Sequence, residues 1–311
     1  MHVDVDAQCT PSRLKEQIAD YDVLIVRSRI DVDRSIIDRG IRLRCIGRVG
    51  AGMETIDVAY AQSRGIACLN SPEGNRDAVG EHTLGLLLAL FNRMARADAE
   101  VRRGSWRREP NRGREIKGCT VGIIGFGNMG GAFASRLAGM QCRVLAYDIA
   151  GTAASGFALG MPFVTNAPLQ MLLEEANVVS LHVPLTESTR HMVDRQLIEA
   201  FRRPVTLINT SRGAVVDTIA LANALRNGSV EAAALDVTET EDMHSDGLHT
   251  IQSCDPFVAD RPITTLTEAW HYICHSNRTL LTPHVAGWTW ESKERLWSVL
   301  ADKIIHHLRK D

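Results

Sequence analysis

The chain predicts an α/β protein of two domains, each built on a parallel sheet. Short runs of β-branched and apolar residues alternate with helically patterned stretches along the 311 residues, an order that builds a sheet covered by helices on its faces. The alternation occurs twice, separated by the charged linker that runs from Gly104-Ser105-Trp106 to Arg114. A composition of 45% hydrophobic and 23% charged residues suits two packed cores and argues against extended disorder.

In the first alternation, Val23-Leu24-Ile25-Val26, Cys45-Ile46-Gly47 and Ile66-Ala67-Cys68-Leu69 read as buried strands with helices between them. Asp77 to Arg102 reads as one long helix, apolar in its first part and strongly charged at its end. The second alternation starts at Thr120, with strands at Val121–Ile124, Val144–Tyr147, Val178–Leu181, Thr206–Ile208 and Ala233–Leu235. Helices between them are expected to begin near Met129, Pro168, Asp194 and Asp217. The last helix, Glu291 to Leu308, is expected to return to the first domain. The expected division is residues 1–96 completed by 286–311, and residues 97–285.

Charge and composition narrow the function classes. A formal net charge of -2 gives no whole-chain field toward nucleic acid or an anionic membrane. The longest apolar run, Leu84 to Phe91, is too short to span a bilayer. Met1 to Asp6 carries acid where an export signal needs base followed by an apolar stretch. The seven cysteines (Cys9, Cys45, Cys68, Cys119, Cys142, Cys254, Cys274) are odd in number and never spaced C-x-x-C. Reduced thiols packed as small apolar side chains in a cytoplasmic protein are therefore expected.

Gly125-Phe126-Gly127-Asn128-Met129-Gly130 follows an apolar strand and opens a helix, the context in which G-x-G-x-x-G binds a dinucleotide on a Rossmann domain. Gly125 permits the tight turn, Gly127 lets the backbone approach a pyrophosphate, and Gly130 lets the helix pack closely on the strand. The helix dipole and its free N–H groups then face the phosphates. Asp148, at the end of the next strand, would accept hydrogen bonds from a ribose 2′-OH and repel a 2′-phosphate, which favours NAD over NADP. The bland alternative is a glycine-rich helix cap with no ligand.

Three further segments fall beyond strand ends on one side of the second sheet, where open α/β sheets bind ligands. They are Asn209-Thr210-Ser211-Arg212-Gly213, Leu235 to Glu241, and Thr282-Pro283-His284-Val285-Ala286-Gly287. These segments offer a base for a hydroxyl proton and a cation for a carboxylate. A histidine suits the first task and the planar fork of an arginine the second. A carboxylate beside the histidine would orient its ring and raise its pKa.

Together with Val26-Arg27-Ser28, Gly47-Arg48-Val49-Gly50-Ala51-Gly52 and His182-Val183-Pro184-Leu185-Thr186, these motifs resemble, in order and over nearly the whole chain, the D-isomer-specific 2-hydroxyacid dehydrogenase family. The resemblance implies a Rossmann domain for NAD plus a smaller flavodoxin-like substrate domain, here lacking the first strand and helix usual in the family. It implies Arg212, Glu241 and His284 as the catalytic trio, Glu241 rather than Glu239 because the family's acid lies five residues beyond the position of Asp236. It implies His182, Pro184, Thr189, Thr210, Asp236 and Gly287 around the cofactor with the glycine loop. Arg27, Arg48, Ala51 and Gly52 are implied on the substrate side, with the backbone of Val49 to Gly52 receiving the substrate carboxylate.

Within the family, Asn70-Ser71-Pro72-Glu73-Gly74-Asn75 and the two arginines are similar to D-3-phosphoglycerate dehydrogenases, which implies 3-phosphoglycerate as substrate. The alternatives are a glyoxylate, hydroxypyruvate or longer 2-keto acid reductase, or an NAD-sensing protein like the family's corepressors. The plain alternative for Arg27 and Arg48 is pairing with acids. The resemblance also implies a homodimer formed through the nucleotide domains.

The stretch from Glu241 to His284 is longer than usual in the family. Its His244, His249, Cys254, His271, Cys274 and His275 match no zinc spacing, so no metal is expected, and an added helix around Thr265 to His275 is expected instead. Trp288, Trp290 and Trp297 are expected to pack at a hinge between the domains, and His82 and His191 to be ordinary helix and loop histidines. Glu54-Thr55 stands where the family prefers Asp-Asn.

Overall fold

The computed structural model describes residues 2–150, 160–241 and 261–309. The chain forms two compact units, Met1–Arg76 with Thr289–Asp311, and Asp77–Trp288.

In the first unit, helices α1 (Pro11–Gln17), α2 (Arg34–Arg39) and α3 (Val58–Ser63) accompany strands β1 (Val23–Val26), β2 (Cys45–Arg48) and β3 (Ala67–Asn70). The strands form a parallel sheet in the order β1-β2-β3 among the described residues. Each helix starts where a side chain caps it: Thr10 accepts from the Arg13 N–H, Asp33 from Ile36 and Asp57 from Tyr60. Alternation along β2 sends Ile46 into a cluster with Leu14, Ile18, Ile36 and Ile37, and Cys45 into a second cluster with Leu296, Leu300 and Ile304. The last three belong to the C-terminal helix, Trp290–Leu308, which returns to this unit as expected. Gly47 permits that approach, because a Cβ there would lie 2.9 Å from Ile304 Cδ1.

The unit boundary falls within helix α4 (Pro72–Phe91), not at residue 96. From Asp77 onward this helix packs on the second core. A Cβ on Gly80 would lie 2.8 Å from the Ala132 carbonyl, and Leu86, Leu87 and Phe91 cluster with Val121 and Phe133. The single helix expected over Asp77 to Arg102 is two: α4 ends at Phe91 and α5 covers Met94–Arg102. The break is made at Arg93, whose φ of 53° is left-handed and whose guanidinium donates to the Pro110 carbonyl at 2.7 Å.

The second unit holds β4 (Thr120–Ile124), β5 (Arg143–Tyr147), β6 (Val164–Asn166), β7 (Val178–Leu181), β8 (Val205–Asn209), β9 (Val230–Leu235) and β10 (Thr279–Leu281). They pair in parallel in the order β10-β9-β8-β7-β4-β5-β6, which reverses direction at β4, as a doubly wound dinucleotide fold does. Strands β6 and β10 were not expected from the sequence. Helices α6 (Asn128–Arg136), α7 (Leu169–Glu175), α8 (Arg195–Glu199) and α9 (Thr218–Asn227) begin where expected, α8 and α9 capped by Asp194 and Asp217. The helix expected in the long connection is α10, Leu266–His275, capped by Thr265 and followed in the chain by α11, the C-terminal helix named above. Ala269, Tyr272 and Ile273 of α10 join the core cluster that holds α9. His244, His249 and Cys254 lie outside the described residues, whereas His275 Nδ1 bonds the His271 carbonyl at 2.8 Å within α10.

The tryptophans depart from the expected hinge packing. Trp288, Trp290 and Trp297 are 61%, 86% and 44% exposed. On α11 the buried positions are Ser292, Leu296, Leu300 and Ile304, a 4-residue ridge that points Trp290 and Trp297 elsewhere. Cys9, Cys45, Cys68, Cys119, Cys142 and Cys274 are free thiols. No helix among the described residues is long and apolar enough to cross a membrane.

Candidate active site

The glycine loop joins β4 to α6 and is shaped by close approaches. Gly125 adopts φ +91°, and a Cβ on it would lie 2.7 Å from the His182 carbonyl group. A Cβ on Gly130 would lie 2.0 Å from the Gly125 oxygen, so no side chain fits there. Nothing lies within 4 Å of the position a Gly127 Cβ would take. Helix α6 has Gly127 as its N-cap and no side-chain cap, unlike α8 and α9. Its first-turn N–H groups at Asn128, Met129 and Gly130 are therefore left for an anion, a donor set that fits a pyrophosphate.

Asp148 closes the loop from the end of β5. Its carboxylate accepts the Phe126 N–H at 2.7 Å through one oxygen and the Ala150 N–H at 2.9 Å through the other. Around the same end of the sheet, His182 bonds Ser180 Oγ through Nε2 at 2.8 Å, and burial pushes its pKa down to about 3, which keeps the ring neutral. Thr189 Oγ1 donates to the Pro184 carbonyl at 2.6 Å and fixes the turn between them. Thr210 Oγ1 pairs with Thr83 Oγ1 of α4 at 3.2 Å.

Strands β8, β9 and β10 are neighbours, so the three segments that follow them come together. His284 Nδ1 and Glu241 Oε2 are 2.8 Å apart. Glu241's other oxygen accepts the Thr238 N–H at 2.9 Å, which fixes the carboxylate. The Glu241 hydrogen bond raises the His284 pKa above its ordinary value; burial opposes it, the Glu241 and Asp236 charges add to it, and the Arg212 charge works against it. Arg212 begins the short turn Gly213–Val215, its guanidinium donating to the Ser211 carbonyl at 2.7 Å. Asn209 braces this loop: its Nδ2 donates to the Arg212 carbonyl at 2.9 Å and its Oδ1 accepts from Ser211 Oγ at 2.8 Å.

Asp236 holds the histidine loop rather than facing solvent. It is 2% exposed, and it accepts from the N–H groups of Val285 at 2.9 Å and Ala286 at 2.8 Å, and from Thr282 Oγ1 at 2.5 Å. The His284 N–H in turn donates to the Asp236 carbonyl at 2.7 Å, and Gly287 follows in the same turn. His82 of α4, expected to be an ordinary helix histidine, reaches this group with Nε2 3.1 Å from Thr282 Oγ1 and 3.5 Å from Asp236 Oδ1. His191 is also engaged, with Nε2 2.5 Å from Glu239 Oε1. A His near a strand-end acid gave no local pattern that could have revealed either pairing.

Arg27, Arg48, Ala51 and Gly52 belong to the first unit. Arg27 is exposed at the end of β1. The Arg48 guanidinium folds over the next turn and donates to the Val49 carbonyl at 2.7 Å; a Cβ on Gly50, at φ +149°, would lie 1.9 Å from it. Asn70 holds the Ala51 carbonyl at 2.6 Å. The Val49 N–H donates to Val26 at 2.9 Å, which removes Val49 from the stretch expected to receive a carboxylate. Among the described residues no group of His, Cys, Asp and Glu could hold a metal ion.

Residues 84–286 match the family described as D-isomer specific 2-hydroxyacid dehydrogenase, NAD binding domain. The chain is 35% identical over 295 residues to a hydroxypyruvate reductase of Thermotoga maritima, covering 95% of this chain and 87% of that protein. It is 33% identical over 307 residues to a D-3-phosphoglycerate dehydrogenase of Methanocaldococcus jannaschii, covering 99% of this chain but 53% of that protein; the chain thus spans about half the length of that relative. Among solved structures, a D-lactate dehydrogenase of Aquifex aeolicus complexed with NAD and lactic acid superposes with a TM-score of 0.78 at 27% identity, over 95% of this chain and 86% of that one.

Proposed function

The chain belongs to the D-isomer-specific 2-hydroxyacid dehydrogenase family, an NAD-dependent oxidoreductase family, and on that premise we propose that it interconverts 3-phosphoglycerate and 3-phosphohydroxypyruvate. The observation that carries the chemistry is the 2.8 Å contact between His284 Nδ1 and Glu241, in a loop clamped by Asp236. NAD, when bound, supplies the hydride acceptor, and its reduced form the donor; the glycine loop, the α6 N-terminus and Asp148 would hold it. His284 Nε2 takes the hydroxyl proton during oxidation and returns it during reduction, a task matched to a pKa raised from the ordinary histidine value. Glu241 orients the ring through Nδ1 and stabilises the imidazolium. Arg212 binds the carboxylate and the oxygen on C2, where its fork meets two acceptors.

The phosphorylated substrate rests on Arg27 and Arg48 and on similarity to the phosphoglycerate dehydrogenases. A second reading, reduction of unphosphorylated hydroxypyruvate or glyoxylate, is favoured by the Arg48 guanidinium's bond to its neighbouring carbonyl and by similarity to the Thermotoga maritima protein. NADH-linked assays on phosphohydroxypyruvate, hydroxypyruvate, glyoxylate and pyruvate separate them. A kcat/KM at least tenfold higher for the phosphorylated acid supports the first reading; no preference for it supports the second. NADH binding without turnover of any 2-keto acid would favour the corepressor-like alternative. A homodimer and a cytoplasmic location are part of the same proposal, the former testable by sedimentation.

A further inference from the structure

We propose that His191 and Glu239 form a positioning couple that holds the Arg212 and Glu241 loops in register for catalysis, a role that rests on the reaction proposed above. Strands β7, β8 and β9 lie side by side, and the segments following them carry His191, Arg212 and Glu241 respectively. His191 touches both of the other segments. Its backbone N–H donates to the Ala214 carbonyl at 2.8 Å, two residues beyond Arg212. Its Nε2 meets Glu239 Oε1 at 2.5 Å, two residues before Glu241.

The surroundings make this a brace rather than a chance surface pair. Glu239 is 16% exposed at its side chain, and its second oxygen accepts the Thr218 hydroxyl at 2.9 Å, so α9 joins the same knot. The Arg212 and Glu241 loops also meet directly: a Cβ on Gly213 would lie 2.0 Å from the Thr238 carbonyl carbon and 2.5 Å from the Glu239 nitrogen. Val193 and Val216 form an isolated parallel bridge beside them. His191 itself has φ +51°, a left-handed conformation costly for a residue with a Cβ and held by these bonds.

The couple acts through Glu241, not on substrate. Glu239 spends its two oxygens on His191 and Thr218, and it is Glu241 that joins the Thr238 N–H to His284. The peptide that follows the Thr238 N–H, from Thr238 to Glu239, packs against Gly213, and the Glu239 side chain anchors the segment just downstream. Releasing Glu239 frees the segment that aims Glu241 at the imidazole, and a displacement well below 1 Å is enough to weaken a charge-assisted hydrogen bond.

The test is a mutant cycle on the full chain with His191→Phe, Glu239→Gln, the double variant and His191→Gln, whose side-chain amide can donate to Glu239. The expected result is a tenfold or larger fall in kcat for each of the first two, with NADH Kd within twofold of wild type. The double variant is expected to be no worse than the poorer single variant by more than twofold, and His191→Gln to recover most of the loss. Unchanged kcat in His191→Phe, losses that multiply in the double variant, or an equal fall in NADH binding would overturn the couple. If wild type turns over no 2-keto acid, the proposed reaction fails separately. The imidazole nitrogen NMR signals of His284 then carry the test without substrate: a weakened Glu241 bond in His191→Phe supports the couple, and unchanged signals refute it.

Discussion

His284 has a left-handed backbone, φ 54°, at the mouth of a turn whose next two N–H groups point at one buried carboxylate. A histidine placed this way is turned out of the strand direction toward Glu241, and that bond supplies its pKa shift. Replacing Glu241 by Gln removes the largest cause of the rise. Because reduction needs the protonated ring and oxidation the neutral one, the pH limb controlled by His284 should move to lower pH in both directions. A pH profile of kcat/KM checks this; an unmoved limb would separate His284 from the observed titration. At Gly130 the constraint is steric, since a methyl would fall 2.0 Å from the Gly125 oxygen. Gly130→Ala should therefore weaken NADH binding at least tenfold, read by fluorescence titration. The glycine loop was legible in the sequence as a local strand–turn–helix motif, and the candidate trio came from resemblance to the family; the structure brings two of its members, His284 and Glu241, together. His82 and His191 were not legible, because their partners Thr282 and Glu239 lie 200 and 48 positions away and only the sheet order joins them.

The elements themselves follow their local signals where these are strong. Asp194 and Asp217 stop the preceding loop and start a helix because their carboxylates satisfy first-turn N–H groups. Strands β6 and β10 escaped notice because three residues, Val164-Thr165-Asn166 and Thr279-Leu280-Leu281, are too few to display a period. The break between α4 and α5 escaped for another reason: Asn92-Arg93 contains neither Gly nor Pro, and the turn is held by tertiary bonds instead. Glu100 of α5 anchors the Arg107–Asn111 segment, whose Pro110 carbonyl receives the Arg93 guanidinium. Asn111, Arg96 and Arg107 hold its carboxyl down to about 2, with Asn111 the largest influence. A depressed acid contributes stability that is present above the ordinary carboxylate range and is lost as pH falls through its own lowered value. Glu100→Gln should mimic that loss at neutral pH. Limited proteolysis should then cut within residues 103–112 faster than in wild type; an unchanged rate would show that the knot does not hold the segment.

At the scale of the whole molecule, the two units differ in what a ligand can do to them. The glycine loop, α6 and Asp148 all belong to Asp77–Trp288, so NADH should raise the melting temperature of the transition that reports this unit. At a hundredfold excess over Kd the stabilisation is about 2.7 kcal/mol. Calorimetry with and without NADH checks it, and equal melting curves would contradict cofactor binding at this loop. The two-unit organisation was legible because the strand–helix alternation restarts after a charged linker. The position of the boundary was not, because α4 is one continuous helix whose N-terminal turn belongs to one core and whose remainder packs on the other.

The central claim is that His284, oriented by Glu241, moves the proton in an NAD-linked reaction of a 2-hydroxy acid. Steady-state turnover of His284→Asn, measured beside its NADH affinity, tests it most directly. The account predicts a loss of about 10²- to 10⁴-fold in kcat with NADH Kd within twofold of wild type. Turnover within tenfold of wild type would contradict it.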